Sequence, residues 1–519
     1  MNKDSRTKNA LRNTIVGIIS QILTLVFSFV NRTIFIHFLG SDYLGFNGLF
    51  SNILSLLSIA ELGIGSAIVY SMYKPLAEQN KEKIKSLVRL YKRCYMIIGV
   101  VVTAIGLSLI PFFDILIKNP PNIGENIGVI YILFLLCNVN SYFFYYKIVV
   151  INTDQKGYII SLYTQIFKWI QVVVQILVLI FTKNYILYLI IQLLCSIGTN
   201  ASLYIKANRM YPFLKEKNIK KLNENEQKKI KKNIKSMVTY SLSPAIIGGT
   251  DNIIISSVIG LAAVGLYSNY YLIISSLNLF LTQIHSAIRS SIGNLNAIGN
   301  KQKKKEILYK LLYIDYFIYG ICGVLLMALM NDFIKIWIGE EFLLSNLTLL
   351  SLVLFFYIDG MQFVGSSYRT TTGLFAHAKS APFFEAVLNI GLSILLGKLI
   401  GLPGVFFATS LSKIFVFCWL DPYLIYKFIF KEKPKEYAYK YLKYFMIFSL
   451  TLVSVFYISN HFAVSNYLLW VIKACTLGIF TVLIFVVLTY KSFEFKYLKE
   501  LVNGYINKLK NKFIKRRAV

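Results

Sequence analysis

Apolar runs long enough to cross a bilayer fill almost the whole of this chain, and its positive charge collects in alternate gaps between them. The basic gaps are Lys3–Arg12, Lys74–Arg93, Lys206–Lys235, Lys301–Lys310, Lys427–Lys443 and Lys491–Arg517, with weaker clusters at Lys147–Lys156 and Arg369–Lys379. The intervening gaps hold single basic residues at most: Lys118, Lys183, Lys335 and Lys398. Lys and Arg accumulate on the cytoplasmic side of a membrane protein, so this alternation predicts a multi-pass chain with both termini in the cytoplasm.

Composition agrees. Of 519 residues, 56% are hydrophobic and 15% charged, whereas soluble domains run at about 45–50% and about 25%. Mean hydropathy is +0.60. A net charge of +31 invites a nucleic-acid reading, but every cluster borders an apolar span. Anionic membrane lipid on the cytoplasmic leaflet is the simpler partner, and no nucleic acid is expected. The N-terminus lacks a short apolar core followed by a small-residue cleavage site, so the first span is expected to be retained. Six cysteines lie in or beside apolar runs without metal-ligand spacing; they read as packing residues, and no metal is expected.

A hydrocarbon core needs about 20 apolar residues per helix, which predicts an all-α integral membrane fold of about fourteen transmembrane helices. Their limits are 13–39, 43–72, 86–117, 124–150, 157–181, 184–208, 236–260, 263–291, 307–331, 342–369, 380–400, 402–428, 438–460 and 464–490. A shift of 220 residues lays Gly40 on Gly260, Gly45 on Gly265, Ser66-Ala67-Ile68 on Ser286-Ala287-Ile288 and Asn80-Lys81 on Asn300-Lys301. Six spans separate the copies, so the repeat is parallel, and a substrate path is expected between the halves. The resulting plan is an N-terminal lobe (1–208), a basic cytoplasmic linker (209–235), a C-terminal lobe (236–428), and two appended helices with a basic tail (429–519).

Ionisable groups deep in spans cost about 2.5–3.5 kcal/mol each even on a lenient scale and therefore mark function. The cations are Arg32, Lys168, Arg289 and Lys413; the acids include Glu61, Asp251, Asp315, Asp359 and Glu385. Arg32 sits eight residues before Gly40, roughly 12 Å below the outer turn. The repeat sets Asp251 opposite Asn31, so a structural Arg32–Asp251 pair and a cavity role both stand. Arg289 and Arg369 lie toward cytoplasmic ends, where snorkelling competes with a place at a cavity mouth. Glu61 and Asp359 are deep enough for a coupling ion or for pairing. His37 and His285 lie on aromatic-rich faces and read first as hydrogen-bonded core residues. Pro244 with Gly248-Gly249 predicts a bending point in the seventh span, a packing kink being the alternative. No Walker loop, HExxH or dinucleotide fingerprint occurs. Transport rather than catalysis is expected, with no cofactor, driven by an ion gradient or by substrate supply.

The block Asn13–Arg32, the turn Phe38-Leu39-Gly40-Ser41-Asp42-Tyr43-Leu44-Gly45 and the run Ala60-Glu61-Leu62-Gly63-Ile64-Gly65-Ser66-Ala67 resemble the Wzx-type polysaccharide repeat-unit flippases. These belong to the multidrug/oligosaccharidyl-lipid/polysaccharide exporter superfamily. Ile259-Gly260 with Val264-Gly265-Leu266-Tyr267 fits the same pattern in the second lobe. The resemblance covers essentially the whole chain. It implies a bacterial cytoplasmic membrane protein that translocates undecaprenyl-diphosphate-linked oligosaccharide by alternating access around a cationic cavity, for capsule or exopolysaccharide synthesis. A polysaccharide polymerase and other assembly proteins would be its partners. Arg32, Lys168, Arg289 and Lys413 supply cations suited to a diphosphate leaving water. The alternatives are a lipid II-type precursor flippase and a cation-coupled drug exporter.

Overall fold

The computed structural model describes residues 3–40, 42–118, 120, 123–216, 222–224, 226–228, 230, 249–298, 301–374, 377–500 and 503. Its regular elements are helical throughout these residues. The chain forms two compact units, Met1–Ser268 and Asn269–Val519.

In the first unit α1 (Lys3–Leu39) and α2 (Asp42–Leu57) are separated at Gly40, whose φ of +81° disfavours any side chain. Gly260 plays the same part at φ +141°, between a π-helical turn (Ile255–Ile259) and α8 (Leu261–Ile298). The two glycines, 220 residues apart, thus both stand at positive φ before a helix. The helices between them are α3 (Ile59–Ala77), α4 (Lys81–Ser108), α5 (Ile127–Thr153), α6 (Gly157–Thr182) and α7 (Tyr185–Met210). Asparagine side chains start three of these by accepting from first-turn amides: Asn80 for α4, Asn126 for α5 and Asn184 for α7. Helices of 26–27 residues, as in α5 to α7, reach about 40 Å and so cross a core about 30 Å thick. The helix α1 packs on α6, α6 on α7, and α5 on both α7 and α4.

The second unit holds α9 (Lys301–Ile338), α10 (Asn346–Met361), α11 (Phe363–Thr371), α12 (Ala381–Ile400), α13 (Leu402–Ile425), α14 (Lys435–Ser459) and α15 (Tyr467–Thr489). A tight turn at Gly401 (φ +70°) folds α13 back on α12. Gly404 then passes so close that an added Cβ would lie 2.1 Å from the Leu396 carbonyl oxygen. The last two helices, α14 and α15, pack on α9. Three polar contacts pin them there: Ser459 Oγ to the Ala328 carbonyl (2.8 Å), Trp470 Nε1 to the Leu329 carbonyl (3.1 Å) and Lys473 Nζ to Asp332 (2.8 Å).

Eleven helices among the described residues are long and apolar enough to cross a membrane, against the fourteen expected. The expected second span, 43–72, is two helices, α2 and α3, interrupted at Ser58. The Ser58 hydroxyl bonds back to the Leu54 carbonyl (2.8 Å) and accepts from Tyr142 (3.1 Å), so a partner on α5 helps hold the break. The expected seventh span, 236–260, begins outside the described residues, and Pro244 and Gly248 lie outside them too. The eighth, 263–291, runs within α8.

Candidate functional site

The first unit contains a cavity of about 410 Å³, of mixed polar and apolar lining, framed by α5, α6 and α7. From α6 come Ile160, Thr164, Lys168 and Gln171, and from α7 Gln192, Ser196, Asn200 and Leu203. Both sets step at three- to four-residue intervals, which puts each on one helical face. Thr199 and Tyr145 add further hydroxyls. The lining is fixed by bonds behind it: Asn140 Nδ2 donates to Ser196 Oγ (3.2 Å), and Gln171 Nε2 to Gln175 Oε1 (3.2 Å). Gln175 is itself buried and donates to the Tyr188 carbonyl (3.0 Å). Among the described residues no carboxylate lies within ion-pair distance of Lys168. The cavity therefore offers one uncompensated ammonium amid neutral amides and hydroxyls. Such a set can hold an anion and many hydroxyl groups at once.

The other candidates of this unit do not line this cavity. Arg32, half-buried on α1, donates to Ser268 Oγ at 2.8 Å, and its neighbour Asn31 donates to the Tyr188 hydroxyl at 2.9 Å. Glu61 follows the break at Ser58 and accepts from Tyr95 (2.6 Å), which in turn accepts from Tyr91 (2.9 Å). Asp251 is half-buried in the helix 249–254. Gly249, expected as part of a bending point, lets Leu56 come close: an added Cβ would meet the Leu56 side chain at 2.5 Å.

In the second unit the deep charges neutralise one another. Lys413 on α13 pairs with Asp359 on α10 at 2.9 Å and lies 3.7 Å from Glu385 on α12. Arg369 bonds Asp421 at 2.5 Å and stacks over the Phe417 ring at 4.3 Å, so it is a paired residue rather than a snorkelling one. Gln362, at the break between α10 and α11, donates to Cys418 Sγ (3.2 Å) and toward the Lys413 carbonyl (3.4 Å). His285 is a buried core histidine: Nε2 meets Asp315 Oδ1 at 3.2 Å, Nδ1 meets the Tyr319 hydroxyl at 3.4 Å, and the ring stacks on Phe363 at 3.6 Å. Arg289 lies on α8, with its side chain outside the described residues.

The structure thus gathers Lys413 with Asp359 and Glu385, and gives Lys168 a separate, neutral surround. Sequence reasoning missed that surround. Gln171, Gln192, Ser196 and Asn200 are uncharged and individually common in spans, and only their shared helical period marks them. No group of three or more His, Cys, Asp or Glu able to hold a metal occurs among the described residues.

No protein-family model matches the sequence. No curated protein matches it either. Solved structures do share its fold. A lipid II flippase, MurJ, in an inward closed conformation superposes with a TM-score of 0.67 at 18% identity, over 92% of this chain and 98% of that one. An inward-facing multidrug resistance transporter of the MATE family, in the MOP superfamily, gives 0.60 at 15% identity, over 78% and 96%. A Vibrio cholerae MATE transporter, VcmN, gives 0.54 at 14%, over 83% and 98%. These identities place the likeness at the level of fold.

Proposed function

We propose that a chain with this fold translocates undecaprenyl-diphosphate-linked oligosaccharide across the bacterial cytoplasmic membrane, by alternating access, for cell-surface polysaccharide synthesis. The observation that carries the reading is the Lys168 cavity. An unpaired ammonium suits a phosphate or an acidic sugar, and the surrounding amides and hydroxyls replace water on the sugar hydroxyls. An apolar cation, the cargo expected of a drug exporter, would meet the repelling charge of Lys168 there. Both termini lie in the cytoplasm on this reading, and Arg32 and Arg289 extend the cationic path. A polysaccharide polymerase would receive the flipped unit.

The test is reconstitution in liposomes with a fluorescent undecaprenyl-diphosphate oligosaccharide, scored by protection from an external quencher. Wild type exchanges it between leaflets, Lys168→Gln loses the activity, and Lys168→Arg keeps part of it. Unimpaired exchange by a folded Lys168→Gln refutes the role of this cavity. Two other readings have specific support. The likeness to MurJ favours a lipid II-type precursor, which the same assay distinguishes by changing the glycan. The acids Asp359, Glu385 and Asp421 favour a cation-coupled exporter, which predicts ion-dependent efflux of an organic cation and no glycolipid exchange.

A further inference from the structure

A second and larger cavity, of about 760 Å³, lies in the first unit where the start of α4 meets the ends of α5 and α7, beside Leu214 and Glu216. Five basic side chains line it: Lys85, Arg89, Lys92 and Arg93 from α4, and Lys147 from α5. One carboxylate, Glu216, faces them. Lys85 is compensated, pairing with Glu82 (2.5 Å) and Glu216 (2.7 Å). Lys147 is positioned by neutral groups, donating to Asn208 (2.7 Å) with its ammonium 4.8 Å from the centre of the Tyr204 ring. Lys92 stands 5.4 Å from the Tyr146 ring, and Arg89, Lys92 and Arg93 are all exposed. Among the described lining residues, basic groups therefore outnumber carboxylates by five to one.

The same face of α4 changes character one turn further on. Arg89, Arg93, Ile97 and Val100 follow helical spacing, and Ile97 and Val100 are each 65% exposed. A basic end running into bare aliphatic side chains matches the profile of a phospholipid, with headgroup first and acyl chain beyond. This wall is distinct from the Lys168 cavity. Tyr145, Ile148 and Leu203 face that cavity, while their neighbours Tyr146, Lys147 and Tyr204 face this one, so α5 and α7 separate the two.

We propose that this basic cavity binds the phosphate headgroup of an anionic phospholipid of the surrounding bilayer, with its acyl chains laid along Ile97 and Val100. Arg89 and Arg93 supply forked donors for the phosphate oxygens, as guanidinium groups do better than ammonium. Lys147 meets the headgroup from the opposite wall. Glu216 is the internal counter-ion with which the headgroup competes for Lys85. The charge pattern of the sequence places this end at the cytoplasmic leaflet, where anionic lipid is enriched.

The test is native mass spectrometry of the full-length protein in detergent, titrated in parallel with phosphatidylglycerol, phosphatidylcholine, inorganic pyrophosphate and undecaprenyl diphosphate. Phosphatidylglycerol is expected to bind in preference to phosphatidylcholine. Arg89→Gln with Arg93→Gln should weaken that binding about thirtyfold, the effect of removing two basic groups near an anionic headgroup. Removing two charges from another cluster, by Lys427→Gln with Lys443→Gln, should leave it unchanged. Ile97→Asn should weaken the lipid alone, leaving any pyrophosphate binding untouched. If the arginine pair disturbs folding, as read by circular dichroism and gel filtration, Lys92→Gln serves in its place. Equal losses in the two charge-removal pairs, or no preference for phosphatidylglycerol, overturn the proposal. So does a site that retains undecaprenyl diphosphate but not phosphatidylglycerol, which would belong to the transported lipid instead.

Discussion

Removing the Lys413 ammonium should destabilise the second unit without needing to touch any transported molecule. Lys413 lies 2.9 Å from Asp359 and 3.7 Å from Glu385, and the Glu385 side chain is only 6% exposed. At an effective dielectric constant of about 20 these separations correspond to gross attractions of about 6 and about 4.5 kcal/mol. Most of that offsets the desolvation of the three groups. What a substitution exposes is the remaining carboxylate left buried and unpaired, at about 3–5 kcal/mol for a broken buried pair. Asp359 is 51% exposed and screened accordingly, so the lower end, about 3 kcal/mol, is the expected loss for Lys413→Gln. Equilibrium unfolding in mixed detergent micelles measures it. Glu385→Gln in the same chain should then recover part of the loss, with a coupling energy of about 1–3 kcal/mol in the double-mutant cycle. Stability within about 0.5 kcal/mol of wild type, or strict additivity of the two changes, refutes the claim that the acids hold Lys413 in place. Lys168→Gln is the internal contrast: with no carboxylate partner to strand, it should leave the unfolding midpoint alone while abolishing glycolipid exchange.

Gly404→Ala drives a methyl group into the backbone of Leu396, and should cost about 1–3 kcal/mol in the same unfolding assay by forcing α12 and α13 apart. Gly391→Ala on α12 meets nothing within 4 Å and should be neutral or slightly stabilising, helix propensity favouring alanine by about 1 kcal/mol. Glu432, between α13 and α14, bonds Lys305 (2.8 Å) and Lys301 (2.9 Å), which hold its carboxyl down at about 2. Because the folded value is depressed, the clamp is fully present above the ordinary glutamate range and is lost as pH falls toward about 2. Hydrogen exchange of the 431–433 amides, referenced at each pH to an unstructured peptide of the same sequence, should rise across that window in wild type; in Glu432→Gln it should already be high at the upper end and flat across it. Tyr95→Phe removes the donor that meets Glu61 at 2.6 Å; if this carboxylate carries a coupling proton, the pH profile of transport moves, whereas a purely structural bond leaves it in place.

Several local features were legible in one dimension. Gly40 and Gly260, matched by the repeat offset, are two turns at positive φ, because a backbone conformation that excludes Cβ writes itself directly as glycine. His285 read as a hydrogen-bonded core histidine and is one. The break at Ser58 was not legible, since part of what holds it is a hydroxyl 84 residues away on Tyr142.

What the sequence determined by itself is the succession of apolar helices, several of their ends and the presence of deep charge. Hydrophobic length, turn glycines and asparagine caps act within a few residues and leave local traces. The fate of each charge was decided only in three dimensions. Lys168 and Lys413 look alike in sequence, both near the middle of an apolar run. Packing of α10 and α12 against α13 brings Asp359 and Glu385 to Lys413. The faces that meet Lys168 bring amides and hydroxyls instead. The field at a buried charge depends on the few angstroms around it, and helices distant in sequence fill that space.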